Sequence, residues 1–137
     1  METLQTLTHE KVALVESATA FNADMKALTD NLIIITFYTK TCSVCKAFAP
    51  QFAATQQEFK GDAVYFAQIN AEELPMIAQQ FNIMAVPNTF FIKDQKIIFQ
   101  MTGDIPRAQL RSLISDTLRK VFGKKSQATQ EFDAMFM

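Results

Sequence analysis

Cys42 and Cys45 are the two cysteines of the chain, and only Ser43 and Val44 separate them. Thiols at this spacing support two chemistries, exchange with a disulfide or ligation of a soft metal ion. Zinc asks for about four nitrogen or sulfur ligands. The one histidine, His9, lies in an amino-terminal segment expected to be unanchored. No metal and no other cofactor is therefore expected within one chain, and a cluster shared between two chains is the remaining metal reading. A structural disulfide framework uses more cysteines at wider spacing. The pair reads as a redox centre.

Its placement strengthens that reading. Leu32-Ile33-Ile34-Ile35-Thr36-Phe37-Tyr38 is β-branched, aromatic and almost unbroken in hydrophobicity, the pattern of a strand covered on both faces. Thr39-Lys40-Thr41 leads from it into a helical stretch over about residues 42–59. There Cys45, Phe48, Ala49, Phe52 and Phe59 fall on helical spacing, and Pro50 is expected to kink the axis. Unpaired amides and the positive end of the helix dipole favour a thiolate at Cys42. Cys45, one turn on, faces the same way from a deeper position, and Lys40 and Lys46 add cationic help. The expected sequence is attack by Cys42, a mixed disulfide, and resolution by Cys45. Ordinary helix packing also puts two cysteines one turn apart, but rarely at a helix start behind a β-rich run.

Val86-Pro87 is the second informative site. Proline holds its predecessor extended, and X-Pro bonds are where cis peptides occur. A trans proline opening a strand is the bland alternative, but the position relative to the cysteines favours cis. That geometry turns the Val86 backbone toward the sulfurs, where its N–H and C=O can pair with an incoming peptide in a strand-like way.

The remaining elements surround these two sites. Residues 12–15 read as a short strand, although a helix from Thr8 also fits. Ser17 suits the N-cap of a helix bearing Ala20, Phe21, Met25 and Leu28. Residues 64–69 form a second covered strand. A short helix should follow, with Glu72 and Glu73 in its first turn and a stop at Asn82. Residues 89–93 and 96–101 around Asp94-Gln95 form a hairpin, and Gly103 breaks its second strand. Pro106 suits the first turn of a last helix carrying Leu110, Leu113, Ile114, Leu118, Val121 and Phe122, closed by Gly123. The order β-α-β-α-β-α-β-β-α predicts an α/β fold, a central mixed sheet with helices on both faces.

Composition excludes other classes. The 137 residues suit one domain, with 13 basic and 14 acidic side chains and no block of either sign. Nucleic-acid binding needs a clustered basic excess, so no such partner is expected. The longest apolar run is too short to span a bilayer. The amino terminus lacks the basic stretch and apolar run of a secretory signal, so a cytoplasmic location without membrane association is expected. The expected layout is an extension over 1–11, a domain over 12–123 and a tail over 124–137. Phe132, Met135 and Phe136 of that tail could cover an apolar patch or dock a partner.

These features together resemble the thioredoxin family from roughly residue 12 to 122. The resemblance rests on Ile35-Thr36-Phe37-Tyr38 before the motif, Cys42-Ser43-Val44-Cys45-Lys46, Pro50 in the same helix, Ala85-Val86-Pro87-Asn88-Thr89, and Gly103. It implies a thioredoxin fold and a thiol–disulfide oxidoreductase with Cys42 as nucleophile, Cys45 as resolving thiol and Pro87 as the cis-proline. Val86 and Pro87, with Thr41, Ser43 and Val44, would bind the substrate. The implied partners are disulfide-containing proteins and a thioredoxin reductase or other dithiol donor. Glutaredoxins share the order of motifs, but the glycine pair that serves glutathione there is absent from Lys93-Asp94-Gln95-Lys96.

The departures are also specific. The usual Trp-Cys-Gly-Pro-Cys has become Thr41-Cys42-Ser43-Val44-Cys45. The family's buried acidic residue aligns with Thr36, and the lysine near it aligns with Gln68. Both charges are missing, so the interior stays neutral but loses an internal base. Slower resolution by Cys45 is the expected consequence. A different class of function, a redox-regulated binding module with little turnover, fits the same fold.

Overall fold

The computed structural model describes residues 5–123; residues 1–4 and 124–137 lie outside the described residues, and with them the expected carboxy-terminal tail. Nine elements follow in the order β1 (Ala13–Val15), α1 (Ala18–Ala27), β2 (Leu32–Tyr38), α2 (Ser43–Glu58), β3 (Val64–Asn70), α3 (Pro75–Gln80), β4 (Asn88–Lys93), β5 (Lys96–Thr102) and α4 (Arg107–Phe122). The sheet runs β1-β3-β2-β4-β5. Its β1–β3 and β2–β3 pairs are parallel, and β2–β4 and β4–β5 are antiparallel.

The unbroken hydrophobicity of β2 follows from its central place. Alternate side chains of a strand point to opposite faces. Ile33, Ile35 and Phe37 enter the layer under α1 and α3 with Phe21 and Ile77. Leu32 and Ile34 enter the layer under α2 and α4 with Phe48, Phe52, Leu110 and Ile114. Both faces of the strand are thus covered by helices, as the sequence pattern predicts.

Local chemistry sets the boundaries. Ser17 caps α1, its side chain accepting from the Ala20 amide at 3.2 Å. The two-residue loop Asp94-Gln95 has φ of 53° and 65°, the double positive φ that matches the twist of a tight hairpin. Gly123, at φ 68°, ends α4 in the left-handed region that glycine tolerates.

Three expectations are corrected. The amino-terminal segment is anchored. The Thr6 and Leu7 amides donate to the buried Asp24 carboxylate at 3.0 and 3.4 Å, Leu7 joins the core, and the His9 ring stacks on Tyr65 at 4.0 Å. Nothing in the residue pattern before β1 announced this, because the anchor is one acid 17 residues downstream. Glu72 and Glu73 precede α3 instead of forming its first turn. Their amides donate to the Asn70 side-chain oxygen at 2.9 and 3.2 Å, and Pro75 opens the helix. Pro106 is the residue before α4, with an extended ψ of 142°, and the helix proper starts at Arg107.

Phe52 is 1% exposed, with its ring 5.6 Å from Phe48 and 5.4 Å from Phe66. Phe52→Ala should cost about 3–5 kcal/mol, as large-to-small aromatic changes in cores do. Leu14→Ala, at a 42% exposed side chain, should cost less than about 1 kcal/mol. Equilibrium urea unfolding of the two variants checks the contrast.

Candidate functional site

The chain leaves the covered strand β2 at Tyr38, whose carbonyl accepts from the Ala71 amide at 2.9 Å. Four residues later Cys42 occupies the N-cap of α2, with extended backbone at φ −83° and ψ 107°. Its sulfur accepts from the Cys45 amide at 3.1 Å. A Ser, Thr or Asp oxygen ordinarily fills this role; here a sulfur does. The two cysteines form a disulfide across a Cα–Cα distance of 5.2 Å. Cys42 is half-buried, whereas Cys45 is only 5% exposed. Carrying an accepted N–H and lying at the positive end of the helix dipole, the outer sulfur is better placed to bear negative charge.

The loop before β4 faces this pair. Val86–Pro87 is a cis peptide, and the Val86 carbonyl oxygen lies 3.8 Å from Cys42 Sγ. The Pro87 carbonyl accepts from the Gly103 amide at 2.8 Å. Gly103 has φ 98°, so only glycine holds this tie without strain. In the sequence it reads as a strand breaker and as part of the family resemblance; the structure adds its role as anchor of the proline loop. Thr41, Ser43 and Val44 are exposed at the helix start, Val44 to 48%. Thus Cys42, Cys45, Val86 and Pro87 meet, and the other three candidates stand at the rim. Met84, 88% exposed and two residues before Val86, escaped the sequence reading because an isolated methionine in a loop carries no periodic signal.

Behind Cys45 lies a cavity of about 270 Å³. Thr36, Tyr38, Gln68, Phe48 and Pro87 contribute to its wall, with Lys40, Lys46 and Ala49 where it reaches the surface. The buried Thr36 hydroxyl accepts from the Thr89 hydroxyl at 3.2 Å. This pair satisfies polar groups without placing a charge behind the thiol. Burial raises the pKa of Tyr38, the negative charge of Glu73 raises it further, and a hydrogen bond from Asn70 opposes both. Among the described residues no group of three or more His, Cys, Asp or Glu side chains is placed to hold a metal ion.

The Thioredoxin family model matches residues 12–116. The chain belongs to the thioredoxin family. Putative thioredoxin 2 of Streptomyces coelicolor is 30% identical over 113 residues, 82% of this chain and 83% of that protein. The thioredoxin of Chlorobaculum thiosulfatiphilum is 27% identical over 88 residues, 64% of this chain and 81% of its own. The solved structure of a Malassezia sympodialis thioredoxin aligns with a TM-score of 0.67 at 28% identity, covering 77% of this chain and 89% of that one. With a Cys-x-x-Cys pair at bonding distance on this fold, the protein is a thiol–disulfide oxidoreductase of the thioredoxin family. No helix among the described residues is long and apolar enough to cross a membrane.

Two measurements follow from this geometry. Gly103→Ala should cost about 1–2 kcal/mol, the penalty of a Cβ in left-handed backbone, because nothing lies within 4 Å of the added atom to cause a clash; thermal unfolding reads it. Tyr38 holds its proton above the ordinary 10.0, so the folded state binds more protons than the unfolded one in that range. The contribution of Tyr38 to stability is therefore intact below about pH 10 and falls as pH rises through the folded value. In a Tyr65→Phe background, where Tyr38 is the one tyrosine left, ultraviolet titration should show Glu73→Gln bringing its pKa down.

Proposed function

We propose that Cys42 is the attacking thiol and Cys45 the resolving thiol of a couple that reduces or exchanges disulfides in proteins. The observation that carries this assignment is the Cys45 amide pointing at Cys42 Sγ from the start of α2. An amide donor and a helix dipole stabilise a thiolate at Cys42 more than at Cys45, and Cys42 is the sulfur a large substrate can reach.

In the reduced protein the Cys42 thiolate attacks one sulfur of a substrate disulfide. A Cys42–substrate bond forms, and the other substrate sulfur leaves as a thiolate that takes a proton from water. Cys45 then loses its proton and attacks Cys42 Sγ. The Cys42–Cys45 bond forms, and the second substrate sulfur departs with the electron pair of the broken bond. The substrate ends with two thiols and the enzyme with the disulfide. The Val86 N–H and C=O are offered to the substrate backbone in strand fashion, and Thr41, Ser43, Val44 and Met84 supply a rim that is half hydroxyl-bearing and half apolar. A thioredoxin reductase or another dithiol donor restores the pair. A reducing compartment such as the cytoplasm suits this direction.

Resolution is the slow half-reaction in this proposal. Thr36 and Gln68 stand where a charged pair would take the Cys45 proton, and neither is a base near neutral pH.

Insulin reduction driven by dithiothreitol tests the assignment. Cys42→Ser should abolish turnover, and Cys45→Ser should lose turnover but accumulate mixed disulfides with clients. Alkylation kinetics should place the Cys42 pKa below the roughly 8.5 of a free thiol. Turnover that survives Cys42→Ser overturns the assignment. Absence of turnover in the parent chain, with stable complexes on affinity capture, would favour a redox-regulated binding module instead.

A further inference from the structure

The exposed stripe of α2 begins beside the outer sulfur of the pair. Lys46 stands four residues after Cys42, its amide donating to the Cys42 carbonyl at 3.2 Å, and residues four apart share a helix face. The stripe continues through Ala49, Pro50 and Ala53 to Gln57, all of them exposed. A groove of about 730 Å³ follows it, with Lys46 and Lys11 in its lining. Its far wall is fixed in place. The side-chain amides of Gln56 and Gln57 donate to the His9 and Glu10 carbonyls at 2.9 and 3.1 Å, which holds the backbone before Lys11 against the last turn of α2. Lys46, Ala49 and Gln68 also line the cavity beside Cys45, so the groove adjoins the redox pair.

The charge in this groove has one sign. No carboxylate lines it, and neither Lys11 nor Lys46 forms an ion pair among the described residues. Glu10 and Glu58, which flank the far end, are already paired with Lys60 at 3.2 Å and with Arg111 at 2.6 Å. The whole chain has a net charge of −1, so any preference for an acidic partner must come from local placement. Two unpaired cations spaced along an open groove complement an extended segment bearing carboxylates.

We propose that this groove selects client proteins by docking an acidic segment that flanks the cysteine under attack. The inference rests on Cys42 being the attacking thiol. A rise of about 1.5 Å per residue puts Lys46 about 6 Å and Gln57 about 22 Å along α2 from Cys42. An extended client covers about 3.3 Å per residue. The matching acids therefore stand about two and about six to seven residues from the client cysteine. Lys11 acts in client choice and lies outside the machinery that exchanges sulfur bonds.

The test uses the full chain with Cys45→Ser, reduced, and follows bonding of Cys42 to peptides supplied as disulfide dimers. One peptide becomes joined to Cys42, and the other leaves as a thiol. Peptides of equal length carry two glutamates at the expected spacing, two glutamates beyond the reach of Lys11, or two glutamines. The pair is placed on each side of the cysteine in turn, and each rate is divided by that of dithiothreitol on the same peptide. On one side, glutamates at the expected spacing should raise the second-order rate about five-fold over glutamines, the scale of two exposed ion pairs. The gain should vanish near 1 M salt, where the screening length is about 3 Å. Lys11→Glu should lose the gain and keep the rate of the glutamine peptide. Amide chemical shifts give a readout free of catalysis: a cysteine-free glutamate peptide should move Lys11, Ala49 and Ala53 of the oxidised parent protein, and the glutamine peptide should not. Equal rates for glutamate and glutamine, a gain indifferent to spacing, or a gain that survives Lys11→Glu overturns the inference. Failure of Cys42 to bond with any of the peptides would instead count against the role on which it rests.

Discussion

The hydrogen bond from the Cys45 amide to Cys42 Sγ is the interaction on which the site depends. A helix leaves its first amides without internal partners, and this one spends such an amide on a sulfur. The bond does two things at once. It completes the N-cap of α2, which the fold needs, and it directs positive potential at one thiol of the pair, which the chemistry needs. Because the cap and the reactive atom coincide, the position of Cys42 is fixed by the helix itself. The strand β2, buried on both faces, fixes where that helix begins.

A second constraint is neutrality of the space behind the pair. Thr36 sits at the centre of the sheet, between Gln68 of β3 and Thr89 of β4. An ion there would be costly without a partner. The chain meets the polar demand of that position with a hydroxyl pair, Thr36 and Thr89, and with an amide at Gln68. A neutral interior leaves no buried charge behind the pair to be compensated.

Much of this was legible in the sequence because the signals were local or periodic. The continuous apolar run of β2, the helical spacing of Phe48, Phe52 and Phe59, and the Cys-x-x-Cys at their junction report burial and placement directly. What escaped had long-range causes. The carboxylate of Asp24 in α1 pins the amides of Thr6 and Leu7, and no pattern near residue 6 reveals that. Asn70 caps a turn by its side chain, so two glutamates that suit a helix dipole were displaced to the loop before α3. Gly103 looked like punctuation, yet its amide holds the Pro87 carbonyl from across the hairpin. Cavities are the hardest feature to foresee, since they depend on how facing side chains fail to fill space.

The asymmetry of the pair follows from these constraints together. Cys42 lies at the edge of the sheet layers, before the helix, where solvent and substrate reach it. Cys45 lies one turn inward, against Phe48 and the wall of the cavity. Exposure and electrostatics therefore favour charge on the same sulfur. Were they opposed, with the buried thiol stabilised as thiolate, the first attack would have to come from an atom that a folded substrate cannot approach. In the proposed reaction the order of the two half-reactions follows from where α2 begins, and the second depends on the space behind Cys45. Residues 36 and 68 belong to the second step in this proposal, because neither supports the cap.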